Sequence, residues 1–273
     1  MPDPTFPTTR VALVTGANHG IGAATAIALA AAGVDVVLTY LRADAPPGDP
    51  GTPDEYHRQR AATADGVLAA IGPLPGRGHA VEADLTDDDV AARLFDAAER
   101  HLGPAAILVN NASGWVADTF APVSTDRLGR PLSAVTAATI DRNLGVDARA
   151  GALLIAELAR RHVARGATWG RIVGLTSGGP MGFPQEVSYG AAKAALENYT
   201  MSAATELARF GITANIVHPP VTDTGWVTEE VRAFVAGSSD HHHIATPAEV
   251  AGVIAWLCSD AAGLVTGCTL RLR

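Results

Sequence analysis

The segment VALVTGANHGIGAATAIALAAAG, residues 11–33, leaves this chain few folds to choose from. A short apolar run, Val11–Val14, reads as a strand and ends in a glycine-rich turn. The turn opens directly into a helical pattern, Ile21–Ala32, closed by Gly33. Val34–Tyr40 then supplies a second strand. The rhythm continues, with strands expected at His79–Ala83, Ala106–Val109, Arg171–Leu175 and Ile212–Val217. Helices are expected at Asp88–His101, Tyr189–Phe210 and Ala248–Cys258. Strands this apolar, separated by helices, predict an α/β fold: a parallel sheet covered on both faces.

One segment breaks the rhythm. Arg42 to Thr63 contains DAPPGDPGTPDE, whose Pro and Gly content predicts a surface loop inserted near 42–63. No repeat or linker divides the 273 residues, which suffice for one domain with a sizeable core. Ile21–Leu38 is apolar, but Gly33 and Asp35 interrupt it, so a buried helix and strand explain it better than a membrane span. The net charge of -8 argues against nucleic acid and anionic membranes as partners. Cys258 and Cys268 form neither a disulfide framework nor a metal spacing, which predicts a reducing compartment. MPDPTFPTTR has no apolar signal region, so a cytoplasmic protein is expected.

The turn TGANHGIG sits where a phosphate-binding loop belongs, after a strand and at a helix N-terminus. Gly16 turns the chain, and Gly20 and Gly22 let backbone, ligand and sheet approach closely. The second strand ends VVLTYLR. A carboxylate there would hold a ribose 2′-hydroxyl; instead Thr39 and Tyr40 are followed by Arg42, which favours NADP over NAD. Asp84, at the end of the third strand, is positioned to meet an adenine amino group, and NNAS (110–113) ends the fourth. Tyr189 and Lys193 lie four apart on a helical pattern and share a face. Lys193 is the only lysine among twenty Lys and Arg residues. A neighbouring ammonium lowers the pKa of a phenol, and lysine is a compact, rotatable charge where arginine is a wide fork.

The motifs TGANHGIG, NNAS, GRIVGLTS, YGAAK and TDTGW, in this order, resemble those of the short-chain dehydrogenase/reductase family, nearest its β-ketoacyl carrier-protein reductase-like branch. The resemblance covers nearly the whole chain. It implies one Rossmann-type domain over 1–273, assembled as a homodimer or homotetramer, and hydride exchange between NADP (or NAD) and a small carbonyl or alcohol substrate. It implies Tyr189 as proton donor and acceptor, Ser177 as the group polarising the carbonyl, and Lys193 as the residue that holds a ribose and tunes Tyr189. Thr176 is the alternative to Ser177. The cofactor set it implies is Gly16, Asn18, His19, Gly20, Ile21 and Gly22 in the turn, Asp84, Leu85, Asn111 and Ala112 after the next strands, then Tyr189, Lys193, Pro219, Thr222 and Thr224.

Departures from the family pattern matter as well. Aligning VDARAGALLIAE puts Asp147 where the family usually has a proton-relay asparagine, with Asn143 one turn earlier and able to face the same side. A carboxylate there would raise the Tyr189 pKa. Pro220 replaces a glycine, so the nicotinamide-side backbone contact must differ. His218, just before the two prolines, either faces the site or merely sits at a strand end. Thr222–Thr246 is expected to form a substrate lid, with Trp226 and Phe234; its 241-HHH-243 reads as an exposed loop run, and no metal is expected. Trp115 and Phe120 predict a partly apolar or cyclic substrate. The alanine- and arginine-rich composition points to a GC-rich bacterial genome, where such reductases tailor secondary metabolites. Three other readings stay open: non-redox chemistry such as dehydration or epimerisation, a cofactor-binding regulator without turnover, and reduction of a carrier-tethered acyl group.

Overall fold

The computed structural model describes residues 10–42, 53–126, 129–179 and 181–273. Seven parallel strands form the central sheet: β1 (Val11–Thr15), β2 (Asp35–Tyr40), β3 (Gly78–Glu82), β4 (Ala105–Asn110), β7 (Gly170–Leu175), β8 (Ile212–His218) and β9 (Thr269–Arg271). Their spatial order is β3-β2-β1-β4-β7-β8-β9. Between β4 and β7 runs a two-stranded ribbon, β5 (Asp118–Thr119) with β6 (Ser133–Ala134). From β1 the chain winds outward to β2 and β3, then returns to β4 on the other side of β1. That reversal opens a crevice at the carboxyl ends of β1 and β4, the place where open parallel sheets take ligands.

Alternation along the strands divides the core into two layers. Ala12, Val14, Val36, Leu38, Val109 and Val173 face α1 (Gly20–Ala31), α3 (Asp65–Ile71) and α9 (Pro247–Leu257). Leu13, Val37, Leu108, Ile172 and Ala214 face α4 (Val90–His101), α6 (Ala150–Ala164) and α7 (Val187–Leu207). Leu13, Leu29, Leu108 and Leu158 are fully buried, each worth ~1.5–3 kcal/mol relative to exposure. Thr246 caps α9 in a box with Glu249.

The expected 42–63 loop is corrected in part: residues 54–61 form a helix, α2 (Asp54–Ala61). Its first turn carries Asp54 and Glu55 and its last Arg58 and Arg60, charges that favour a short helix. Residues 43–52 of that loop lie outside the described residues. A second helix, α8 (Glu229–Ala236), forms within the expected lid, capped by Thr228. Helix α5 (Ala137–Asn143) runs through a π-helical turn, Leu144–Arg149, into α6. Among the described residues, no helix is long and apolar enough to cross a membrane.

Candidate active site

The glycine turn is built by contact. A Cβ on Gly22 would lie 2.1 Å from the Gly16 carbonyl oxygen, and Gly16 itself has φ 63°. Only glycine fits both positions without moving backbone. The crevice floor is pinned by a residue outside the expected set. Thr15 Oγ1 accepts the amides of Asn111 and Ala112, both at 2.9 Å. Asn111 Nδ2 donates to the carbonyls of Thr15 (2.8 Å) and Gly16 (3.0 Å). These bonds tie the ends of β1 and β4 at the switch point. Asp84 is braced by the amide and hydroxyl of Thr86, both at 2.8 Å.

Above this floor lies a cleft of about 760 Å³. Gly16, Asn18, His19, Gly20, Ile21, Asp84, Leu85, Asn111, Ala112, Ser177, Tyr189, Lys193, Pro219, Thr222 and Thr224 all line it; Gly22 and Asp147 do not. Trp226, Phe234 and His241 of the expected lid also line it. Arg42 is not among the lining residues; its Nε pairs with Glu82 Oε1 at 2.9 Å, and more than half of the side chain is exposed. Phe120 is also misplaced, 80% exposed and away from the cleft, whereas Trp115 lines it. Phe183, unremarked in the sequence, lines it too and meets the Tyr189 ring at 5.9 Å. His218 does sit at a strand end, but Nε2 lies 2.7 Å from the Gly178 carbonyl, tying β8 to the Ser177 loop.

The side chains on α7 are held from below. Asp118, fully buried, accepts the Ser188 amide at 2.8 Å and the Ser188 hydroxyl at 2.5 Å. A carboxylate at a helix N-terminus satisfies its free amides and suits its dipole. One turn on, Lys193 is buried, and its Nζ lies 2.8 Å from Asp147 Oδ1, both side chains at most 3% exposed. Asp147 Oδ2 accepts the Gly114 amide at 2.7 Å. Asn143 shares that side, as expected, but serves the same segment: Oδ1 accepts the Val116 amide at 3.2 Å. The π turn around Asp147 is the kind of irregularity that often marks functional helices.

The electrostatics correct one expectation. Burial pushes the Tyr189 pKa up to about 12; Lys193 lowers it, while Asp147 and Glu186 add to the rise. Tyr189 as a whole is half-buried. Lys193 therefore acts with the expected sign, yet burial outweighs it. Ser177 favours the phenolate by hydrogen bonding, the smallest of these effects, and both Thr176 and Ser177 line the cleft. Burial alone would lower the Lys193 pKa, but Asp147 and then Tyr189 hold it above the ordinary lysine value. Glu186, at the cleft wall, accepts from Trp115 Nε1 (3.1 Å) and Arg130 (3.0 Å). Together the groups place two hydroxyls and a paired ammonium on one wall of a cleft whose glycine turn can hold a pyrophosphate.

Comparison with known proteins fits this geometry. The family described as enoyl-(acyl carrier protein) reductase matches residues 56–272. Cis-4-hydroxycyclohexanecarboxylate dehydrogenase of Sinomonas cyclohexanicum is 37% identical, over 96% of this chain and 94% of its own. The 3-oxoacyl-[acyl-carrier-protein] reductase MabA of Mycobacterium tuberculosis is 32% identical over 96% and 90%. The crystal structure of angucycline C-6 ketoreductase LanV with bound NADP superposes with a TM-score of 0.76 at 28% identity, covering 98% of this chain and 95% of that one.

Proposed function

This chain belongs to the short-chain dehydrogenase/reductase family of oxidoreductases, and we propose that it is an NADP-preferring reductase of a small, partly apolar cyclic ketone. The observation that carries this reading is that Ser177, Tyr189 and Lys193 line the switch-point cleft, with Lys193 buried against Asp147 behind it. The NADP preference rests on the end of β2, where Thr39 and Tyr40 line the cleft in place of a carboxylate that would hold a ribose 2′-hydroxyl. The cyclic substrate rests on Trp115, Phe183, Trp226 and Phe234 around the cleft. The ring-bearing names of two of the compared proteins support it.

The nicotinamide, when bound, supplies the hydride. Gly16, Gly20 and Gly22 shape the backbone that would cradle its pyrophosphate at the N-terminus of α1. Ser177 and Tyr189 both line the cleft, and a carbonyl oxygen that accepts from their two hydroxyls is polarised. With its pKa near 12, Tyr189 keeps its proton across the neutral range and so arrives loaded as a donor. It gives that proton to the oxygen as negative charge develops there. Lys193, held charged by Asp147, stabilises the phenolate left behind and is placed to hold a ribose. The same balance disfavours alcohol oxidation near neutrality, because the phenol must first ionise. Work in bacterial secondary metabolism, as a cytoplasmic homodimer or homotetramer, belongs to the same proposal.

The test is a panel of free cyclic ketones, open-chain ketones and carrier-tethered 3-oxoacyl groups, with NADPH consumption followed. The proposal expects free cyclic ketones to give the highest kcat/KM. A preference for the tethered acyl group would favour the carrier-linked reading, which the MabA likeness keeps in play.

A further inference from the structure

The helix that interrupts the expected loop lies across the cleft. Asn18 of the glycine turn donates Nδ2 to the Ala62 carbonyl at 2.9 Å and approaches the Gln59 carbonyl at 3.4 Å. On the other side, a Cβ on Gly225 would come within 3.2 Å of Gln59 Oε1. So α2 bridges from the glycine turn to the segment after β8. Tyr56 and Arg60 project from it into the cleft lining. The Tyr56 ring meets the His19 ring edge-on at 6.0 Å, and the Arg60 guanidinium lies 5.6 Å from the Tyr56 centroid.

The charges of α2 are unevenly used. Arg58 pairs with Glu55 at 2.6 Å, and Gln59 also donates to Glu55 at 2.8 Å. Arg60 has no carboxylate partner among the described residues. His19, where α1 begins, carries a buried Nδ1 with no hydrogen-bond partner. Burial, and then the Arg60 charge, hold its pKa down to about 4. A guanidinium, an unmatched imidazole nitrogen and the positive end of a helix thus converge on one corner of the cofactor cleft. An anion there would satisfy all three.

We propose that α2 is a strap over the cofactor, in which Arg60 and His19 take one of its phosphates and Tyr56 covers it. This rests on the dinucleotide reading above and adds the residues that Arg42 was expected to supply. Either the 2′-phosphate or the pyrophosphate offers the required chemistry, and the two separate by cofactor.

Direct binding of NADPH and NADH, followed by nicotinamide fluorescence, tests it in the wild type, Arg60→Gln, Arg60→Lys and, as a control on the outer face of α2, Arg58→Gln. Loss of a charge-assisted hydrogen bond predicts that Arg60→Gln weakens NADPH by roughly tenfold or more. Arg60→Lys should recover part of that, and Arg58→Gln should bind like the wild type. A loss confined to NADPH assigns the 2′-phosphate; equal losses for both cofactors assign the pyrophosphate. Wild-type affinity for both cofactors in Arg60→Gln, with unchanged circular dichroism, overturns the strap while leaving the enzyme reading intact. Failure of the wild type to bind either cofactor would instead overturn the reading beneath it.

Discussion

Replacing Asp147 by asparagine removes one buried charge and keeps the shape. The legs through Lys193 Nζ are 2.8 Å and 5.7 Å, which place Asp147 Oδ1 within about 9 Å of the Tyr189 ring centroid. At an effective dielectric of about 20, a unit charge at ~9 Å is worth ~2 kcal/mol, a little more than one pKa unit. Asp147 favours the neutral phenol, so its loss lowers the Tyr189 pKa, now near 12, by about one unit. Lys193 also loses the partner that holds it above the ordinary lysine value. The assay is the pH dependence of NADP-linked alcohol oxidation, which needs the phenolate. Its rising limb should move about one unit toward neutral pH, while ketone reduction at neutral pH holds or increases. Stability should fall, because breaking a buried pair costs up to ~3–5 kcal/mol, less where an amide still accepts a hydrogen bond. A melting temperature several degrees lower follows. An unmoved pH limb would show that Tyr189 does not feel Asp147. Collapsed turnover with cofactor binding intact would make Asp147 a proton carrier in its own right.

Two further substitutions probe the same wall. Lys193→Arg should cut turnover roughly a hundredfold, the scale of disturbed catalytic geometry, because a wide planar guanidinium replaces a compact ammonium buried against Asp147; the change should add little once Tyr189→Phe is present. Asp118→Ala strips two hydrogen bonds from the buried start of α7, at ~1–3 kcal/mol for each group left unsatisfied. Thermal unfolding should show the loss, kcat should fall more than KM rises, and Asp118→Asn should recover part of both.

The sheet was legible where its strands are short, mostly apolar runs; β9, Thr269–Arg271, has a single apolar residue and was missed. The cofactor turn was legible because glycines at 16, 20 and 22 stand between a strand and a helix. Tyr189 and Lys193 could be paired because one helix fixes their spacing. The short helix α2 was not legible: it has no fully buried residue and so no apolar periodicity, and DAPPGDPG before it reads as loop. With α2 hidden, Arg42 was the obvious cation for a phosphate, and Arg60 could not be seen to line the cleft. The position of Asp147 was readable, but its ion pair was not, since it depends on how α7 lies beside the π turn. The net sign of the Tyr189 shift also escaped, because a sequence shows the neighbouring charge but not the burial that outweighs it.

The central claim is that Tyr189 delivers a proton to a ketone oxygen reduced at this cleft. NADPH consumption with the best ketone of the panel, in the wild type and in Tyr189→Phe, tests it most directly when NADPH affinity is measured on the same samples. The account predicts ketone-dependent consumption in the wild type. In Tyr189→Phe it predicts a fall of at least roughly a hundredfold, the lower part of the general acid–base range, with NADPH affinity nearly unchanged. Wild-type turnover in Tyr189→Phe, with the fold and NADPH binding intact, would contradict it.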